Sequence, residues 1–173
     1  TRIDLTWDKV KGATGYDVYW SYCNGKNNFN KLANVPKSQK YADKNLNNKR
    51  EYKYFTVAYK MSGGKKVYLG RTNIVHVAMP QASKTNVLKV TVNKTKVNLA
   101  KGKTFKITKK VKLENSKKKA LNHLTKKERF ITSNAKVATV SSAGVIKAVR
   151  KGTCTVYVMA DNGVCARIKV TVK

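Results

Sequence analysis

The chain has 173 residues, 41% of them hydrophobic, which is enough for one medium domain or two small ones with a filled core. No apolar run approaches the roughly 20 residues that a membrane helix requires, so membrane insertion is not expected. Net charge is +30, from 38 basic and 8 acidic residues, and only Arg2, Arg50, Arg71, Arg129, Arg150 and Arg167 are arginine. Lysine is a flexible point charge, whereas arginine is the planar fork suited to phosphates and bases. A partner role for specific nucleic acid is therefore not expected. A lysine-rich β surface keeps edge strands apart and the chain soluble, and attraction to polyanions follows from charge alone. The chain opens at Thr1 rather than Met, so it is expected to be a fragment or a processed product; separately, it is expected to act as a monomeric segment of a longer chain.

Turn signals recur about every ten residues, with strand-like runs between them, the pattern of an all-β sandwich. In chain order the first half predicts strands over Ile3–Trp7, Tyr16–Tyr22, Phe29–Val35, Lys40–Asp43, Tyr52–Lys60 and Val67–Ala78. Val18 and Trp20 share a face of the second strand, and Ser62–Gly64 forms a hairpin turn. The run LTWDKVKGATGYDVYW, then Leu46, then Tyr52 in EYKYFTVAYK, resembles a fibronectin type III domain. The resemblance implies that Trp7 is a core tryptophan. It also implies a tyrosine corner at Leu46 and Tyr52, with the phenol bonded back to nearby backbone. The family's first strand is absent from this stretch, which predicts an open sheet edge beside the first strand seen here. Domain boundaries are expected at 1–79 and 87–173, joined by a short polar linker over 80–86 that contains Pro80.

The second half predicts strands over Val87–Val92, Val97–Leu99, Thr104–Val111, Phe130–Thr132, Ala138–Val140, Val145–Val149, Thr153–Ala160 and Cys165–Val172. Lys117–Arg129 is polar nearly all round and reads as a loop or short turn. Four pieces occur in order: VNLAKGKTFKI, TSNAKVATV, AGVIKAVRKGTCTVYV and NGVCARIKVTV. Together they resemble the bacterial immunoglobulin-like domain of group 2, a module of bacterial surface proteins. The expected architecture is thus all-β, two immunoglobulin-like β-sandwiches in tandem.

Motifs for chemistry are missing. His76 sits in a strand and His123 in the basic loop, neither with a metal-ligand neighbour in sequence, so no metal is expected. No nucleophile elbow, phosphate loop or cysteine with a histidine partner is evident, and the eight acids suggest no glycosidase pair. Asp4, Asp8 and Asp17 are the densest acids and are read as structural, since calcium needs several clustered oxygen ligands. No catalytic residue, enzymatic activity or cofactor is expected. Alternation predicts Cys154 inward with Val156 and Val158, and Cys165 outward with Arg167 and Lys169. The two cysteines also lie at different heights of one hairpin, which argues against a disulfide.

Three surfaces are candidates for binding. One is the basic loop with Lys117, Lys118, Lys119, Lys126, Lys127 and Arg129. Another is aromatic, among Tyr16, Tyr19, Tyr22, Tyr54 and Tyr59, with Tyr19 and Tyr22 singled out. The last is the unpaired sheet edge, which could accept a partner's strand. The resemblances imply a secreted or cell-surface module of a Gram-positive wall that binds a host protein or glycan, such as mucin, matrix protein or host immunoglobulin. The alternatives are a spacer of a large secreted enzyme and electrostatic binding to polyanions.

Overall fold

The computed structural model describes residues 1–23, 28–121 and 129–173. These divide into two compact units, Thr1–Lys84 and Thr85–Lys173. Both are built from β-strands.

The first unit holds β1 (Arg2–Thr6), β2 (Gly15–Tyr22), β3 (Asn30–Pro36), β4 (Lys40–Lys44), β5 (Glu51–Ser62), β6 (Lys65–Arg71) and β7 (Val75–Ala78). β1 pairs antiparallel with β4, while the second sheet runs β3-β2-β5-β6, with β7 also on β5. Alternation decides which side chains turn inward: Ile3 and Leu5 of β1 are buried between exposed Arg2, Asp4 and Thr6. They meet Val18, Val35, Tyr52, Tyr54 and Met79, with Trp7 and Trp20 packed against the cluster. Met79 and Ala82 are buried, and the Met79 and Gln81 amides donate to the Arg50 and Asn48 carbonyls. The stretch expected as a linker therefore begins by packing onto this unit.

β8 (Lys84–Thr85) lies at the boundary. The second unit continues with β9 (Val87–Val92), β10 (Lys96–Leu99), β11 (Thr104–Lys106), β12 (Lys109–Leu113), β13 (Lys119–Ala120), β14 (Phe130–Thr132), β15 (Ala138–Val140), β16 (Val145–Ala148), β17 (Gly152–Met159) and β18 (Cys165–Val172). One sheet runs β10-β18-β17-β14, with β10 and β18 parallel, and another runs β11-β16-β15; β12 pairs β9. Cys154, Val156 and Val158 of β17 and Ile168, Val170 and Val172 of β18 are buried in one core with Phe130 and Ile146. Removing an aliphatic side chain of this size from water contributes about 1.5–3 kcal/mol.

Three expectations are corrected. The run Val67–Ala78 is not one strand but β6 and β7. At the break, Thr72 Oγ1 accepts from the Thr56 amide at 3.0 Å, so a side chain replaces a ladder carbonyl. The run Thr104–Val111 is likewise split into β11 and β12, which belong to different sheets. Asn93 clamps that crossing: its Oδ1 accepts from the Thr108 amide at 3.1 Å and its Nδ2 donates to the Lys106 carbonyl at 3.2 Å. Lys117–Arg129 is not wholly loop, because Lys119–Ala120 forms β13 against β8.

Candidate ligand-binding surface

The sequence-predicted residues do not form one site. Lys117 is exposed and Lys118 half-buried, in a tight turn where Asn115 Oδ1 accepts from the Lys117 amide at 2.9 Å. Lys119 is exposed on β13. Lys126 and Lys127, with His123 and Glu128, lie outside the described residues. Arg129 is buried, not part of an exposed basic patch, and its guanidinium pairs with the buried carboxylate of Asp161. The pairing is its own explanation: a buried guanidinium needs a counter-charge.

Tyr19 and Tyr22 point to opposite faces of β2, as their odd spacing requires. The Tyr19 ring stacks on Phe55 at 4.9 Å, and Phe29 meets Phe55 edge-on at 4.7 Å. Burial pushes the Tyr19 phenol above its ordinary pKa. Tyr22 is exposed, packs against Trp20 and Tyr52 at 5.2 Å each, and has the Arg50 guanidinium over its ring at 5.4 Å. Tyr16, Tyr54 and Tyr59 are buried. The edge expected beside the first strand is that of β1, paired with β4.

The sequence singled out Asp17 only as one of the densest acids with a structural role; in the fold it is the electrostatic centre of the first unit. Asp17 is 0% exposed. It receives Lys31 Nζ at 2.9 Å, Lys66 Nζ at 2.8 Å and Asn34 Nδ2 at 2.7 Å. Burial raises its pKa, but the hydrogen bonds from Lys66, Asn34 and Lys31 outweigh burial and hold the carboxyl below its ordinary value. The same hydrogen bond raises Lys31. Asn34 also donates to Tyr59 Oη at 2.8 Å, and Lys66 lies 4.1 Å from the Tyr59 ring centroid. A second buried acid, Asp43, accepts from Tyr54 Oη at 2.8 Å. Burial, then that carboxylate, drives the Tyr54 phenol upward in pKa.

A cysteine with a histidine neighbour does exist, contrary to expectation: Cys23 Sγ lies 3.2 Å from His76 Nδ1. The two are 53 residues apart and meet because His76 pairs with Lys53 on β5 while the Cys23 amide donates to the Glu51 carbonyl at 3.0 Å. Burial, then the Glu51 charge, pushes the Cys23 thiol up to about 11. It is a protonated thiol at neutral pH, the opposite of an activated nucleophile. Cys154 pairs across the hairpin with Val170, and Cys165 with Met159, so they sit apart along the ladder, and all three cysteines are free. Among the described residues no group of three His, Cys, Asp or Glu side chains is placed to hold a metal. No helix among them is long and apolar enough to cross a membrane.

Comparison with known proteins bears on the second unit. Curated proteins give no match. Among solved structures, the S-layer protein rSbsC is 16% identical over 95% of this chain and 21% of its own, with a TM-score of 0.42. A C-terminal fragment of intimin, in complex with the intimin-binding domain of the translocated intimin receptor, is 12% identical over 99% of this chain and 57% of its own, with a TM-score of 0.30. The chain thus spans about a fifth of the S-layer protein. The family model for the bacterial Ig-like domain (group 2) matches residues 86–172, which run from β9 to the end of β18. The chain therefore belongs to the bacterial Ig-like (group 2) family.

Proposed function

We propose that this chain is a non-catalytic binding segment of a bacterial surface protein, exposed outside a Gram-positive cell, that engages a host protein or glycan. The observation that carries the reading is the group 2 Ig-like match over 86–172. The buried ionisable groups agree with it. Asp17, Asp43 and Asp161 are each bonded to a partner within their own unit, an arrangement that holds a scaffold together. The first unit is read as a fibronectin type III domain. Its support is the Tyr52 phenol, which accepts from the Asn47 amide at 2.8 Å, and the separation of β1-β4 from β3-β2-β5.

The test is retention of a partner from host mucus or serum at physiological salt, with Lys117→Gln/Lys118→Gln/Lys119→Gln alongside. Retention supports the reading, and equal retention by the triple variant removes that turn as the site. If nothing is retained, the spacer role replaces it.

A second reading, binding of polyanions, rests on the register of the second unit. Lys89 lies directly opposite Lys112, and Lys96 opposite Lys169. Like charges facing each other across a ladder are unfavourable unless an anion intervenes. Affinity for a polyphosphate should then collapse between about 50 and 200 mM salt.

A further inference from the structure

We propose that the outer edge of β6 docks an extended acidic segment of a partner protein, which joins the sheet as an added strand. β6 ends the order β3-β2-β5-β6, and among the described residues no strand pairs with its outer side. Such edges are normally guarded by charge, proline or brevity. β6 has seven residues and no proline. Its consecutive side chains Val67, Tyr68 and Leu69 are 43%, 57% and 38% exposed, and Met61, opposite Lys66 across the hairpin, is 48% exposed. Charge lies only at the ends of this run, with Lys65 before it and Arg71 after it, and the lysine next to it is turned away: Lys66 Nζ bends back to both oxygens of Asp17, at 2.8 and 2.9 Å.

Charge selects the occupant. Residues 60–75 carry Lys60, Lys65, Lys66 and Arg71 and no acid. Asp17, on β2, is already held by two lysines. A second copy of the chain would bring +30 to an equally basic edge, and like-charge juxtaposition disfavours that pairing. A segment alternating Glu or Asp with β-branched residues fits instead. Its backbone would take the free donors and acceptors of β6, one face would meet Val67 or Tyr68, and its carboxylates would meet Lys60, Lys65 and Arg71. This deepens the protein-binding reading and rests on it.

The test uses the whole chain and a short designed peptide alternating Glu with Val and Thr, followed by fluorescence anisotropy at physiological salt. Saturable binding is expected. N-methylation of alternate peptide nitrogens, replacement of Glu by Lys, and Tyr68→Lys in the protein should each weaken it about tenfold or more. Leu88→Lys, on the second unit, should leave it unchanged. Failure of the acidic peptide to bind, equal binding by the N-methylated peptide, or indifference to Tyr68→Lys overturns the edge. A serum partner still retained in that case leaves the adhesive reading standing. Peptide binding with no partner retained from mucus or serum leaves the edge standing and removes the adhesive reading.

Discussion

Lys66 of the edge strand β6 reaches across β5 to hold both carboxylate oxygens of Asp17, at 2.8 and 2.9 Å. Lys31 of the opposite edge strand, β3, reaches the same carboxylate at 2.9 Å. One buried acid thus ties both edges of the β3-β2-β5-β6 sheet to its centre. It also turns a guarding lysine away from the apolar side chains of β6.

Asp17→Asn should destabilise the first unit at pH 7 by about 1.5–3 kcal/mol, the range for hydrogen bonds to a charged group. The folded-state pKa of Asp17 is lowered, so its stabilisation is present above the ordinary Asp value and is lost as pH falls through the folded value. The gap between variant and parent should therefore narrow in strong acid. Both tryptophans, Trp7 and Trp20, lie in the first unit, so urea melts followed by tryptophan fluorescence read this unit alone. A gap that stays constant from neutral pH to acid would sink the assignment.

Tyr52→Phe removes the acceptor of the Asn47 amide. The expected cost is about 1–2 kcal/mol in the same fluorescence melt, that of leaving a partly buried donor unmatched. A change below about 0.3 kcal/mol would mean that the corner contributes nothing.

Arg129→Ala leaves the Asp161 carboxylate buried without its guanidinium. The second unit should lose about 3–5 kcal/mol, whereas replacing both members with Met and Leu should cost far less. Circular dichroism melts of the three proteins decide it. Equal losses in the single and double variants would show that the pair is not the source.

Cys23 should resist alkylation at pH 7.5. With its thiol pushed up to about 11, the thiolate fraction is about two orders of magnitude below that of an ordinary cysteine. Iodoacetamide labelling mapped by mass spectrometry should mark Cys165 before Cys23, and unfolding in urea should erase the difference. Fast labelling of Cys23 in the folded chain would contradict the half-buried thiol–imidazole contact.

From Phe130 onward the strands were legible because each core residue is two positions from the next: Cys154, Val156 and Val158 on β17, then Ile168, Val170 and Val172 on β18. Glycine turns between them, such as Gly144 at φ 74°, are equally local. The breaks inside 67–78 and 104–111 were not legible. Thr72 and Asn93 act there through side-chain bonds to the backbone of residues 16 and 15 positions away. The candidate surfaces were less legible still. Arg129 reads as one more cation in a basic stretch until Asp161 is brought beside it.

The sequence alone determined the all-β class, the group 2 Ig-like pattern of the second half and the inward face of its last hairpin, since alternation and turn chemistry act over a few residues. Only the tertiary structure decided which charges are buried and paired, which cysteine meets a histidine and which edge strand exposes an apolar run. Those outcomes depend on register between strands far apart in the chain, where a single ladder position sets whether a lysine reaches water or Asp17.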